Sequence, residues 1–254
     1  MPDAASKPRF FVPAEEEAAG PHFRAGQHLP LPPTEAHHAA HVLRLKAGDA
    51  AELFDGRGGS AVARIAPVRR GEVEAIVEEV RPPAPRPDPV IHLGFAVPKG
   101  SRLDWLLEKV TELGVASLTP VVFERSIAGG RELSPAKRER WLGRLIAAAK
   151  QSGMAFLPEI RDPVALDEYL KAASEALGVY GDLCPHTVPI ADALRSRRQG
   201  QSIAILVGPE GGLTNAERAA CRQAGLVPIR LGATTLRIET AAVALVAATA
   251  ALTR

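Results

Sequence analysis

The chain has 254 residues, 46% hydrophobic and 24% charged, with a formal net charge of +2. That is apolar material for one large or two modest domains, and it excludes a uniformly basic nucleic-acid binder. No apolar run reaches the roughly 18–20 residues that a bilayer-spanning helix needs, and two cysteines, Cys184 and Cys221, are too few and too far apart for a disulfide framework or a zinc cluster. The first ten residues, MPDAASKPRF, contain no apolar signal region, so a reducing cytoplasm is the expected location. Charge is unevenly spread. Residues 1–80 hold nine Lys/Arg against twelve Asp/Glu, a formal −3, and residues 81–254 hold twenty-two against seventeen, a formal +5. Any RNA binding therefore has to run through local arginines.

In chain order, Phe10–Val12, Ala51–Phe54, Ala61–Ala66 and Glu72–Val80 read as short strands. Turn signals separate them at Asp55-Gly56-Arg57-Gly58-Gly59 and Arg69-Arg70-Gly71. His37–Leu45, starting near Thr34, is the one helical interruption. Residues 1–80 are expected to form a small β-barrel with one helix. Arg81–Pro89 then carries proline at five of nine positions, a composition that neither continues a helix nor enters a central strand. It predicts a stiff linker at 81–89 and a domain boundary there.

Residues 90–254 alternate strands and helices, the pattern of an α/β domain with a parallel sheet. The predicted strands are Ile91–Val97, Leu118–Phe123, Leu177–Tyr180, Ile203–Val207 and Val227–Leu231. The predicted helices are Ser101–Gly114 with Ser101 as cap, Ser134-Pro135 to about Ser152, Leu166–Ala176, Ile190–Ser196, Asn215–Ala224 and Glu239–Leu252.

Ile203–Glu217 carries the strongest functional signal. Its apolar run stops at Gly208-Pro209-Glu210-Gly211-Gly212, and Thr214 with Glu217 forms a T-x-x-E capping box that opens a helix. Strand, glycine-rich turn with one carboxylate and helix N-terminus together describe a ligand-binding corner of an α/β sheet. A second corner follows at Leu231–Ala241, LGATTLRIETA.

These blocks, with Lys99–Arg125 (KGSRLDWLLEKVTELGVASLTPVVFER), resemble the ribosomal small-subunit uridine-N3 methyltransferases, the RsmE family of the SPOUT superfamily. Arg9–Val12 and His41–Gly59 are similar to that family's PUA-like RNA-binding domain. The resemblance covers nearly the whole chain in the same order. It implies a SPOUT-type parallel sheet threaded into a trefoil knot, although knots are otherwise essentially absent from proteins. It further implies S-adenosylmethionine as methyl donor, a homodimer, and 16S rRNA within the 30S subunit as substrate.

Under that resemblance the cofactor loops comprise Leu206, Val207, Gly208, Pro209, Glu210, Gly211, Leu231, Gly232, Leu236, Thr240 and Ala241. Backbone groups at the glycines are suited to hold adenine and ribose, and Glu210 to bind a ribose hydroxyl or the amino group. Uridine N3 loses a proton in the reaction, by a general base or with an arginine stabilising charge on the uracil carbonyls. Arg125 and Arg237 are the candidates for the latter role. Each has a structural alternative: a pair with Glu239 or Glu210 for Arg237, a dimer brace for Arg125. RNA contacts fall to Arg9, Arg44, Arg57, Gln151 and Ser152, with Lys46 and Arg64 as further phosphate contacts. Met154 stands where the family pattern calls for an arginine. No metal site is expected, since His37 and His41 lack a third ligand of suitable spacing. Two other readings fit the same residues: a SPOUT enzyme acting on another rRNA or tRNA position, and a non-catalytic ribosome-assembly factor.

Overall fold

The computed structural model describes residues 7–14, 22–67, 72–126 and 132–253, so the expected turn at Arg69-Arg70-Gly71 lies outside the described residues. Two compact units form: Met1–Arg86 with Ala149–Leu157, and Pro87–Ala148 with Pro158–Arg254.

The first unit contains β1 (Arg9–Phe11), β2 (His28–Pro30), α1 (Pro33–His37), a π-helical turn (His38–Val42), β3 (Ala50–Phe54), β4 (Ser60–Ile65) and β5 (Glu74–Val80). The strands make one sheet in the order β1-β3-β4-β5-β2, with β1 parallel to β3 and the remaining pairs antiparallel. Alternation drives it. Ala51, Leu53, Ala61, Ala63, Ala75 and Val77 point inward onto Phe10, Phe23 and Leu29, and each large side chain buried this way contributes about 1.5–3 kcal/mol. The sheet is curled but open: β1 and β2 are its two edges, where a barrel was expected. The tight β3–β4 connection comes from Asp55, whose Oδ1 accepts from the N–H of Arg57 at 2.7 Å and of Gly59 at 2.9 Å. Gly58 has φ +103°, and a Cβ there would lie 2.5 Å from the Phe156 ring.

The helix expected to start near Thr34 and run to Leu45 begins at Pro33 and changes type, α1 passing directly into the π turn, after which Arg44 takes φ +53°. The RNA role expected of Arg9 is corrected by its surroundings. Its side chain is only 9% exposed, Nε donates to Glu52 at 2.8 Å, Nη1 to the Ala149 carbonyl at 2.7 Å, and the guanidinium lies over the Phe54 ring. Arg9 is a structural brace. Segment 149–157, expected to belong with the C-terminal residues, is tied into this unit by those bonds. Gly58 N–H also donates to Ala155 O, Leu157 N–H to Gly56 O, and Lys150 pairs with Glu35 at 2.7 Å.

The second unit contains β6 (Ile91–Phe95), α2 (Ser101–Glu112), β7 (Ser117–Val122), most of α3 (Pro135–Ser152), β8 (Glu159–Ile160), β9 (Val164–Ala165), α4 (Leu166–Ala172), β10 (Leu177–Gly181), β11 (Val188–Pro189), α5 (Ile190–Leu194), β12 (Ile203–Val207), α6 (Asn215–Gln223), β13 (Val227–Arg230) and α7 (Ile238–Thr253). All strand pairs are parallel, in the order β11-β13-β10-β12-β6-β7-β8 with β9 also on β7. The central strands read as continuous apolar runs because helices cover both faces; all five residues of β12 are buried. Gly94 in β6 has a packing reason: a Cβ would sit 2.5 Å from the Tyr169 ring, whose hydroxyl donates to Ile205 O at 3.1 Å. At α2 the cap is Gly100 rather than Ser101, which is the first helical residue.

Candidate active site

The order β13-β10-β12 brings three carboxyl-terminal strand ends side by side, the place where open α/β sheets bind ligands. A cavity of about 310 Å³ lies over them. Gly181, Asp182 and Leu183 line it at the end of β10, 207–213 at the end of β12, and Leu231, Gly232 and 234–236 after β13, while Ile238, Ala241 and Leu245 of α7 close one side.

The loop after β12 is held by local chemistry. Gly212 N–H donates to Pro209 O at 2.8 Å. Thr214 N–H donates to Glu217 Oε2 at 2.7 Å and Glu217 N–H to Thr214 Oγ1 at 3.3 Å, so both arms of the predicted capping box are made. Glu217 Oε1 also accepts from Glu124 N–H at 2.9 Å, and Arg125 Nη1 donates to Gly211 O at 2.8 Å. The residues after β7 thus hold the glycine turn from outside. Leu183, Leu231 and Leu236 line the cavity although 51%, 37% and 38% exposed, an apolar wall facing open space. A Cβ on Gly232 would meet no protein atom within 4 Å.

Of the sequence-predicted residues, Val207, Gly208, Pro209, Glu210, Gly211, Leu231, Gly232, Leu236 and Ala241 line this cavity. Leu206 and Thr240 do not: Leu206 is fully buried in β12, and Thr240 is exposed beside Ala241 on a different face of α7. An adjoining, more open recess shares Glu210, Thr235 and Leu236 with the cavity and adds Arg102 and Arg237. There Glu210 forms its ion pair with Arg102, an arginine the sequence reading passed over, and not with Arg237. On the first unit Arg44, Arg57, Gln151 and Ser152 are exposed, whereas Arg64 is engaged with Glu78 and the Gly48 carbonyl.

The sequence also left Asp182 and Arg218 unnoticed. Arg218 Nε donates to Asp182 Oδ2 at 2.6 Å and Nη2 to Oδ1 at 3.3 Å. Burial alone would raise the Asp182 carboxyl, but the hydrogen bonds from Arg218 and the Leu183 N–H, with the guanidinium charge, outweigh it and hold the group below the usual carboxylate value. A strand-end Asp after an apolar run is a weak signal; its partner lies 36 residues away. Burial pushes the nearby Cys221 thiol up to about 12, which leaves it inert at neutral pH.

Residues 85–250 match the family model of an RNA methyltransferase domain, and residues 31–78 that of an RNA methyltransferase PUA domain. The ribosomal RNA small subunit methyltransferase E of Mycobacterium bovis is 32% identical over 228 residues, covering 86% of this chain and 84% of the relative. The chain belongs to the ribosomal RNA small subunit methyltransferase E family. A member of that family from Neisseria gonorrhoeae, solved bound to S-adenosyl methionine, is 31% identical with a TM-score of 0.83 over 97% of this chain and 98% of the other. A Legionella pneumophila methyltransferase, solved with the cofactor SAM, is likewise 31% identical with a TM-score of 0.84 over 96% and 97% of the two chains. In this family member, then, the cavity combines apolar walls for a planar ring, glycine-bearing loops that let backbone groups approach, and a few charged side chains. That donor set fits S-adenosylmethionine.

Proposed function

We propose that this member of the ribosomal RNA small subunit methyltransferase E family methylates N3 of one uridine in 16S rRNA, with S-adenosylmethionine as donor. The observation that carries the reading is the cavity over the ends of β10, β12 and β13, enclosed by the two glycine-bearing loops. When bound there, the cofactor supplies an already activated methyl group on its sulfonium, so the protein's work is positioning and water exclusion.

The backbone of Gly208, Gly211, Leu231 and Gly232 would hold adenine and ribose, with Leu183, Leu231 and Leu236 against the ring. Arg125, fixed to the Gly211 carbonyl, keeps the glycine turn in shape and presents a cation at its rim. Arg237 borders the adjoining opening with Arg102 and Glu210, where one of its N–H groups would stabilise charge developing on a uracil carbonyl as N3 loses its proton. In the first unit, Arg44, Arg57, Gln151 and Ser152 would meet the RNA backbone, Arg44 and Arg57 as phosphate contacts. Residues 1–80 serve in this reading as the RNA-binding domain, 81–89 as linker and 90–254 as the catalytic domain. A trefoil knot in 90–254, a homodimer, a substrate presented within the 30S subunit and a cytoplasmic location complete it. They are supported by membership of the family.

A methyl on N3 blocks Watson–Crick pairing and stops reverse transcriptase. In a host lacking its own enzyme of this type, expressing this protein should create one strong primer-extension stop in 16S rRNA. Arg237→Ala should weaken the modification by roughly 10²–10³-fold, the cost of losing one charge-stabilising donor. Unhindered read-through across 16S rRNA with the wild-type protein present would overturn the assignment.

A further inference from the structure

Four charged side chains border the main cavity: Asp182, Glu210, Arg218 and Arg230. Glu210 is engaged with Arg102 at the rim, and Arg230 is exposed. Only Asp182 and Arg218 carry charge into the wall itself, with side chains 8% and 26% exposed. Building on the cofactor reading above, we infer that the Asp182–Arg218 pair is the subsite for the cofactor's amino-acid tail, Asp182 taking the α-ammonium and Arg218 the α-carboxylate.

The pair's geometry suits a zwitterion. Arg218 meets Asp182 through Nε and one N–H of Nη2, so both N–H groups of Nη1 and the second of Nη2 remain as donors. Asp182 Oδ2 accepts from Arg218 Nε, Oδ1 accepts from Arg218 Nη2 and the Leu183 N–H, and the Cys184 thiol is a further donor to the carboxylate, so an incoming ammonium would take the place of that weak thiol donor. Opposite charges already side by side present a neutral but strongly polar patch. An incoming group whose ammonium and carboxylate share one carbon meets both signs at once, and neither site charge has to be left unpaired. The rest of the lining is uncharged apart from Glu210, already paired with Arg102, and the exposed Arg230. The pair also spans two walls of the cavity, since Asp182 follows β10 and Arg218 sits on the first turns of α6, directly after the glycine loop. Occupation by the tail would therefore draw on the same residues that fix the loop's position.

The decisive experiment compares ligands rather than turnover. S-adenosylmethionine, S-adenosylhomocysteine and 5′-methylthioadenosine, which lacks the tail, are titrated calorimetrically into wild type, Asp182→Asn and Arg218→Gln, with melting curves recorded in parallel. The two tailed ligands should lose about tenfold or more in affinity in each variant, as charge-assisted hydrogen bonds require, while 5′-methylthioadenosine stays within about twofold. Equal weakening of all three ligands would mean the pair only pins α6, and unchanged affinities would mean it touches nothing; either overturns the inference. A probe that needs no variant is decarboxylated S-adenosylmethionine, which should bind wild type about tenfold more weakly than the intact cofactor. Equal binding of the two would also overturn it. Failure of wild type to bind any of these adenosyl ligands would instead remove the cofactor reading on which the inference rests.

Discussion

Arginine is the residue whose meaning depends most on its surroundings. Arg9 is nearly buried between Glu52, the Ala149 carbonyl and the Phe54 ring, whereas Arg44 is exposed and has no ion pair among the described residues. Arg9→Ala should destabilise the first unit by about 1–3 kcal/mol, because Glu52 keeps only Arg81 and a buried carbonyl loses its donor. Arg44→Ala should leave the melting temperature unchanged and lower RNA affinity, with a shallower dependence on salt. Urea melts and filter binding separate the two, and a stability loss from Arg44→Ala would show that its side chain is a brace as well. Gly94 gives a second residue-scale prediction. The Tyr169 ring stands where a methyl would go, so Gly94→Ala should cost about 1–3 kcal/mol in urea unfolding.

At the scale of single elements, the glycine loop depends on α6. Thr214→Ala removes one arm of the capping box and should cost about 1 kcal/mol. It should also weaken cofactor binding, because Glu217 bridges the helix start to Glu124 N–H. Calorimetry on the variant would show both effects. Strand β6 carries a pH signature. Burial first, then the Arg161 charge, holds His92 below the ordinary histidine value. The unfolded chain therefore takes up a proton near pH 6.5 that the folded chain refuses, and stability falls as pH drops below that point. Melting temperature should decline from pH 7.5 to 5.5, and less steeply in His92→Gln. Elements with strong local chemistry were readable in advance: the Thr214/Glu217 box, the Ser134-Pro135 helix start and the apolar run of β12. Strands β2, β8, β9 and β11, only two or three residues long, carry no periodicity to read. The π turn after α1 was equally invisible, since helical periodicity does not distinguish helix types over five residues.

For the whole molecule, the chain divides at Arg86/Pro87 into two compact units, within the proline-rich stretch 81–89. What composition does not reveal is that 149–157 groups with the first unit, because the helical pattern of α3 runs smoothly past Ala148 and only the bonds from Arg9, Gly58 and Lys150 set the segment apart. The same limit applies to the cavity. Its glycine loops were legible as local motifs, while Asp182 and Arg218 join it, and Arg102 reaches Glu210 at its rim, only because the sheet order sets distant segments together. The measurement that bears most directly on the account uses 30S subunits from a strain without its own enzyme of this type, purified protein and radiolabelled S-adenosylmethionine, followed by digestion of the RNA and separation of nucleosides. Label in 3-methyluridine is the expected result. Label in any other nucleoside, or none from protein that demonstrably binds the cofactor, would contradict it.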